Sequence, residues 1–311
     1  MNVIYVSRSA SGSPHPFVQE QADNLSRNHN LNITHFLIRN GGIGGYLRAI
    51  IDLFYFTRKN KTDIIHVHYG LSALVVILYK LFFLKRFKMI ITFHGSDINK
   101  KSERSFSLLA AHFSSHNILV SPKMSPFFKH NYSVIPCGID TNIQLAFRQL
   151  AREENNWQEN DFIILFASSF DREEKDPAFA FQVVDRFTKS STKNVKFLEL
   201  KGYNRTQLTR LMQAADVLLL CSKREGSPQV IKESILNALP VLANDVGDVR
   251  SICSGVDNCF IVDKTVEEYV KHLKLMEQNT SRIQNRAPVI EKFDNDKISD
   301  KIFNIYHKVL I

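Results

Sequence analysis

The chain has 311 residues, 44% of them hydrophobic and 23% charged, which suits a globular protein of two domains and excludes a disordered chain, a collagen-like repeat and a small disulfide scaffold. Its net charge of +9 is unevenly placed: residues 1–150 hold 17 Lys and Arg against 7 Asp and Glu, while residues 151–311 hold 23 against 24. Nine of the eleven histidines also lie in the first half.

The chain opens on a strand at 2–6 and a Ser-rich turn, without the basic start and apolar run of a signal peptide. Further strands are expected at 32–38, 63–68, 88–93, 117–120 and 133–136. Helical patterns lie between them at 17–27, 46–58, 71–83, 105–113 and 126–130. Buried strands separated by helix-length segments imply βαβ units and a parallel sheet. The longest apolar stretch, 71–84, includes Lys80 and falls short of the ~20 residues a bilayer span needs, so it predicts a buried or interfacial helix. Residues 41–45 (GGIGG) follow the second strand with no acidic partner placed to read a ribose, and are expected to form a flexible turn.

Polar residues 142–160 break the alternation and read as a link. The pattern then restarts, with strands at 162–167, 196–200, 216–220, 240–243 and 259–262 and helices at 177–187, 206–214, 229–238 and 266–277. A last helix, 297–309, has no strand after it and must pack on something already built. The expected architecture is α/β, two doubly wound Rossmann-like domains facing a cleft: 1–141, 142–296, and a C-terminal helix in 297–311 packing back toward the first domain. Cys137, Cys221, Cys253 and Cys259 are scattered, with no C-x-x-C pair, and read as small hydrophobes in a reducing compartment. No G-x-G-x-x-G follows the first strand and no P-loop motif occurs, which argues against a nicotinamide enzyme or a P-loop ATPase.

Residues 214–248 (AADVLLLCSKREGSPQVIKESILNALPVLANDVGD) are the most informative. A buried strand ends in a charged loop, then a helix begins at Gln229, with Pro228 suited to its first turn and Ser227 to its N-cap. Amides there, backed by the helix dipole, make a site for a diphosphate. Glu225 and Glu233 are suited to accept hydrogen bonds from sugar or ribose hydroxyls. A solvated loop Glu and a surface helix Glu remain the plain alternative.

The Glu-x7-Glu pair in EGSPQVIKE, followed by ALPVLANDVGD, resembles the donor site of the retaining glycosyltransferases of family four, which have the GT-B fold. DIIHVHYG at 63–70, ITFHGSD at 91–97, VIPCGID at 134–140 and FASSFDREEKDP at 166–177 extend the resemblance in order. The wording REGSPQVIKE is similar to bacterial surface-polysaccharide transferases. The resemblance implies a catalytic set of His94, Glu225 and Lys175. Glu225 would face the donor sugar, Lys175 would neutralise the leaving diphosphate, and His94 would donate to the sugar. Taken alone, His94 reads as a core or loop histidine. Glu233 would grip the ribose, and Gly202 and Tyr203, after Lys201, would lie near the base. Gly226, Ser227, Pro228, Gln229 and Val230 would complete the phosphate cradle. Ser168 and Ser169 stand where the family has Gly-Arg, and Arg172 would have to supply the missing guanidinium. Ala238 replaces a common Gly, with an effect expected on packing only. The first loop lacks paired glycines, leaving Ser11 and Gly12 as its candidates for the acceptor or a phosphate.

No Asp-x-Asp motif accompanies the diphosphate site, so the expectation is metal independence, with no cofactor. The first domain would take a saccharide or a polyprenyl- or lipid-linked acceptor. Its segments 46–61 and 79–88 mix aromatics with Lys and Arg, which fits an anionic membrane surface at the cytoplasmic face. Apolar residues in the core and basic ones on an ordinary solvated surface are the alternative. No helix-turn-helix, zinc or RNP-type pattern supports nucleic acid as partner. A nucleotide-sugar hydrolase or epimerase, or a non-catalytic sugar-nucleotide binding subunit, stays open beside the transferase.

Overall fold

The computed structural model describes residues 1–279 and 281–311. The chain divides into two units, Met1–Ile139 with Phe293–Ile311, and Asp140–Lys292.

In the first unit, β1 (Asn2–Arg8), β2 (Asn32–Ile38), β3 (Ile64–His68), β4 (Lys88–Phe93), β5 (His116–Leu119) and β6 (Tyr132–Val134) form a parallel sheet in the order β2-β1-β3-β4-β5-β6. Every residue of β3 is buried, as a strand covered on both faces requires. Period-2 alternation sends Ile4 and Val6 into one core and Val3 and Tyr5 into the other. The second core is closed by the helix Asn295–Leu310, whose Ile298, Ile302, Ile305 and Tyr306 join Val18, Ala22 and Leu25 of the helix Pro16–His29.

The second unit repeats the plan with β7 (Asp161–Phe166), β8 (Asn194–Glu199), β9 (Val217–Leu220), β10 (Val241–Asn244) and β11 (Cys259–Val262), all parallel, ordered β11-β10-β9-β7-β8. In each sheet the first strand lies between the second and third, so strand order reverses at β1/β3 and at β7/β9. Ligands of such sheets bind beyond the carboxyl ends of the strands at those points.

Three local readings need correction. Residues 41–45 are not a flexible turn, because the helix Gly42–Lys59 starts there. Two of its glycines serve close packing: a Cβ on Gly45 would stand 2.7 Å from the Asn40 carbonyl, and one on Gly41 would stand 2.6 Å from the Arg8 guanidinium, while Gly42 instead adopts a φ of +73°. Residues 142–160 are not merely a link, since they hold the helix Arg148–Glu154. Its Arg148 donates to the carbonyls of Ala214 and Ala215 and pairs with Asp216 at 2.7 Å, while Arg152 donates to the Ala214 and Asp161 carbonyls. Those partners are far away in sequence, which hid the helix's purpose. The segment 126–130 is replaced by a 3-10 turn at Pro122–Phe127, interrupted by Pro126. The chain crosses between units at 139/140 and 292/293, where Ile139 bridges to Asp294 in the first unit. All four cysteines are free thiols.

Ala238 affects more than packing. The helix Gln229–Leu236 ends in a Schellman motif, with Leu239 N–H donating to Ser234 O at 2.8 Å and Ala238 N–H to Ile235 O at 3.0 Å. The motif puts Ala238 at φ +56°, where a Cβ is strained. Relief of that strain outweighs the loss of a buried methyl and the added chain entropy. Ala238→Gly is therefore expected to raise stability by roughly 0.5 kcal/mol in urea unfolding. A loss of stability would show that the methyl contact dominates.

Candidate active site

The loops after β7 and β9 meet at the switch point of the second unit. Lys223 N–H donates to the Glu174 carbonyl at 2.9 Å, tying one loop to the other. Lys175 Nζ then donates to Glu225 Oε1 at 2.5 Å, with only 10% and 8% of the two side chains exposed. Ser222 Oγ donates to the same oxygen at 2.6 Å. Gly247 closes the arrangement: at φ +55°, a Cβ there would lie 2.5 Å from the Gly226 carbonyl and 2.8 Å from Glu225 Cβ. Asp248 N–H donates to that same Gly226 carbonyl. Glycine in the segment NDVGD thus lets the Glu225 loop sit against it, a role no local pattern announced.

Pro228, not Ser227, is the N-cap of the helix Gln229–Leu236. Its ψ of 114° is extended, so helical dihedrals begin only at Gln229 and Val230. Ser227 lies one residue earlier, and its Oγ is buried without a hydrogen-bond partner among the described residues. Pro228 itself supplies no side-chain cap hydrogen bond. Glu233, a turn further in, is 15% exposed and ion-paired with Arg205. Arg205 begins the helix Arg205–Ala214, set by a capping box between Asn204 and Gln207, directly after Gly202 and the half-exposed Tyr203. The sequence reading missed Arg205 because its partner stands on a different helix. Arg172 is exposed, and its guanidinium grips Glu174 through Nε at 2.7 Å and a terminal nitrogen at 2.5 Å. In place of the family's Gly-Arg, the Ser168 carbonyl accepts from Leu200 N–H and Ser169 Oγ accepts from Asp171 N–H.

His94 belongs to the first unit, just beyond β4. Asp97 builds its turn: the carboxylate accepts the amides of Gly95 at 2.9 Å, Gly70 at 3.1 Å and His94 at 3.3 Å. Burial pushes the Asp97 carboxyl up to about 6, against the opposing pull of those amides. His94 Nε2 lies 3.1 Å from His68 Nδ1, and its Nδ1 lies 3.7 Å from Cys137 Sγ, so that thiol is more than filler. His66, His68 and His94 stack in sequence, with centroids 4.7 and 5.3 Å apart. Burial first, and then neighbouring imidazoles, push His66 and His94 down to about 3 and His68 well below its usual value. The column is anchored by Tyr306 Oη, 2.5 Å from His66 Nδ1 and 3.0 Å from Tyr5 Oη. Tyr69 packs its ring 4.6 Å from His94 and holds φ +74°, a strained backbone for a bulky residue. Phe17 flanks His94 at 5.0 Å. Ser11 and Gly12 are exposed in the loop after β1, where Ser11 Oγ is 2.9 Å from Ser9 Oγ.

Residues 2–143 match the family model described as Glycosyltransferase Family 4, and residues 192–292 match Glycosyl transferases group 1. The chain carries two glycosyltransferase domains. No curated protein matches this glycosyltransferase significantly. Among solved structures it is similar to sucrose-phosphate synthase from Thermosynechococcus elongatus, with a TM-score of 0.78, 13% identity, and coverage of 99% of this chain and 98% of that one. Anabaena HepE in complex with UDP-glucose gives 0.74 at 15% identity over 99% and 100% of the two chains. The apo lipopolysaccharide outer core galactosyltransferase WaaB gives 0.70 at 13% over 100% of both. At these identities the likeness is one of fold, the GT-B pair of parallel-sheet domains. Lys175 and Arg172 fall outside both matched segments of the glycosyltransferase, whereas Glu225 and Glu233 fall inside the second.

The neutral histidine column makes the first unit acid-labile. His66 and His94 titrate near 3 when folded against 6.5 ordinarily, so their stabilisation is present above pH 6.5 and is lost as pH falls toward 3. Asp97 runs the other way, because its raised value favours the folded state as it is protonated below about 6. From pH 7 to pH 5 each histidine costs about 2 kcal/mol and Asp97 returns about 1 kcal/mol, so the histidines win. His68 is also held well below its ordinary value and adds in the same direction. Urea unfolding at the two pH values should therefore show a fall of more than about 3 kcal/mol; equal stabilities would mean the column is not held neutral.

Proposed function

We propose that the protein transfers a sugar, with retention, from a UDP- or GDP-linked donor to a saccharide or a polyprenyl- or lipid-linked saccharide acceptor in cell-surface polysaccharide assembly, of the capsule or lipopolysaccharide kind. The observation that carries this reading is the buried Lys175–Glu225 pair at the β7/β9 switch point, beside the start of the helix Gln229–Leu236. An ammonium held there in low dielectric is preorganised for charge developing on a leaving diphosphate. The UDP-glucose complex of Anabaena HepE, on the same fold, supports a nucleotide sugar as donor.

In this reading the second unit binds the donor. The Gln229 and Val230 amides, with Gly226, Ser227 and Pro228 shaping the loop before them, cradle the diphosphate. Arg172 reaches it by exchanging Glu174 for phosphate. Glu225 accepts hydroxyls of the donor sugar. Glu233 accepts those of the ribose, sharing its carboxylate with Arg205. Gly202 and Tyr203 border the base. The bond from the anomeric carbon to the diphosphate oxygen breaks as the bond to the acceptor oxygen forms on the same face. The acceptor's proton passes to the departing diphosphate. Lys175 supplies the countercharge without a metal. The first unit binds the acceptor, with His94 donating to the donor sugar and Ser11 and Gly12 at the acceptor or its phosphate.

Among the described residues no helix is long and apolar enough to cross a membrane. Exposed Leu81, Phe82 and Leu84 beside Lys80, Lys85 and Arg86 instead support peripheral attachment to anionic lipid, at the inner face of the cell membrane.

A panel of UDP- and GDP-sugars scored by thermal shift tests the donor. Release of nucleoside diphosphate is then measured with and without a membrane lipid extract as acceptor source. Acceptor-dependent release, cut at least tenfold by Lys175→Ala or Glu225→Ala in folded protein, is expected. Acceptor-independent release would indicate a hydrolase or epimerase, and binding without turnover a non-catalytic subunit.

A further inference from the structure

Three helices of the first unit, Gly42–Lys59, Gly70–Phe82 and Lys101–His112, enclose an apolar groove of about 410 Å³. That volume is within the range of small-molecule sites. Ile50 and Val75 are buried in its lining, and Ile43, Leu47, Leu78 and Phe106 stand along it between 36% and 83% exposed. Residues that open to water on both sides of an apolar channel are not needed to close the core beneath it.

The groove has a direction. Helices of a parallel α/β unit run opposite to its strands, so Gly42 and Leu71 mark the end nearest the carboxyl edge of the sheet. Ile50 and Leu78 lie eight and seven residues further along their helices, about 10–12 Å away. Arg8, the last residue of β1, stands at the first end with its guanidinium against Gly41, and it is the one charged residue in the described lining. At that same end Tyr69, just before Gly70, packs on His94. Beyond the other end the chain continues as KLFFLKRFK at 80–88, which carries four Lys or Arg and no acid.

From this juxtaposition we infer that the groove holds the hydrocarbon chain of a lipid-linked phosphate or diphosphate, with Arg8 on its phosphate. The inference rests on the transferase reading only in making that lipid the acceptor. Charge decides the occupant: a second copy would bring a like-charged basic face against this one, whereas an anionic headgroup complements both Arg8 and the basic rim. Apart from the Tyr46 hydroxyl and the Arg8 guanidinium, the described lining side chains are apolar, so an apolar chain is what the walls can desolvate.

Farnesyl diphosphate, below its micellar concentration, is the probe, with inorganic diphosphate and farnesol as comparisons. Farnesyl diphosphate should bind at least tenfold more tightly than inorganic diphosphate and should not be displaced by excess UDP. Leu47→Glu, at a half-exposed position, should weaken it at least tenfold while leaving inorganic diphosphate unchanged. Arg8→Ala should weaken farnesyl diphosphate but not farnesol. Equal affinity for farnesyl and inorganic diphosphate, or indifference to Leu47→Glu, overturns the inference. So does binding only to anionic vesicles, which makes the face a membrane contact. A concentration-dependent dimer abolished by Leu47→Glu also overturns it, since a second copy would then fill the groove. Nucleotide-sugar thermal shifts on the unaltered protein separate the two readings: absence of donor binding there defeats the transferase and leaves the lipid groove standing.

Discussion

A lysine and a glutamate from two different loops share one buried hydrogen bond at the carboxyl edge of the second sheet. Removing either partner of such a pair leaves a charge that the interior cannot solvate, at a cost of about 3–5 kcal/mol. The surrounding chain is arranged to keep that contact. The Lys223 amide joins the loops, Ser222 adds a second donor to the Glu225 carboxylate, and Gly247 has no side chain so that Glu225 can approach. A cation held this way undergoes little rearrangement when negative charge appears beside it, which is the condition for electrostatic catalysis.

The first unit solves a different problem with neutral groups. Asp97 gathers three backbone amides and so shapes the turn that carries His94, while the imidazoles beneath are kept uncharged by burial. The C-terminal helix takes part because Tyr306 supplies the hydroxyl that His66 and Tyr5 need. Chain ends and chain middle are thereby joined in one buried network, and the polar groups of a packed core find partners. His68 Nε2, Ser7 Oγ and Ser107 Oγ are exceptions, buried polar atoms with no hydrogen-bond partner among the described residues.

Charge is placed differently in the two halves of the chain. The second half of the chain is nearly neutral, and its cations are largely spent on internal contacts: Arg152 on Asp216, Lys264 on Asp176, Arg205 on Glu233. In the first half, basic residues such as Lys85 and Arg86 stand exposed beside exposed Leu and Phe, where little internal pairing accounts for them. Lys and Arg in that setting lay their stems on apolar surface and present their charge outward.

Strand positions and the repeated βαβ plan were legible in the sequence because buried parallel strands are runs of β-branched and aliphatic residues, a local signal. The stretch around Glu225 and Glu233 was legible for the same reason: strand, loop and helix start are contiguous there. Contacts between distant segments were not. Nothing near Arg205 marks it for Glu233, nothing near Arg148 marks it for Asp216, and the left-handed backbone at Ala238 follows from how its helix ends against the next strand. The sequence alone determined the strands, their parallel pairing and the residue types on each loop, since period and residue type are properties of neighbours along the chain. Only tertiary structure decided which charges meet, which histidines lose their protons and where an apolar groove stays open, because burial and distance belong to the packed molecule.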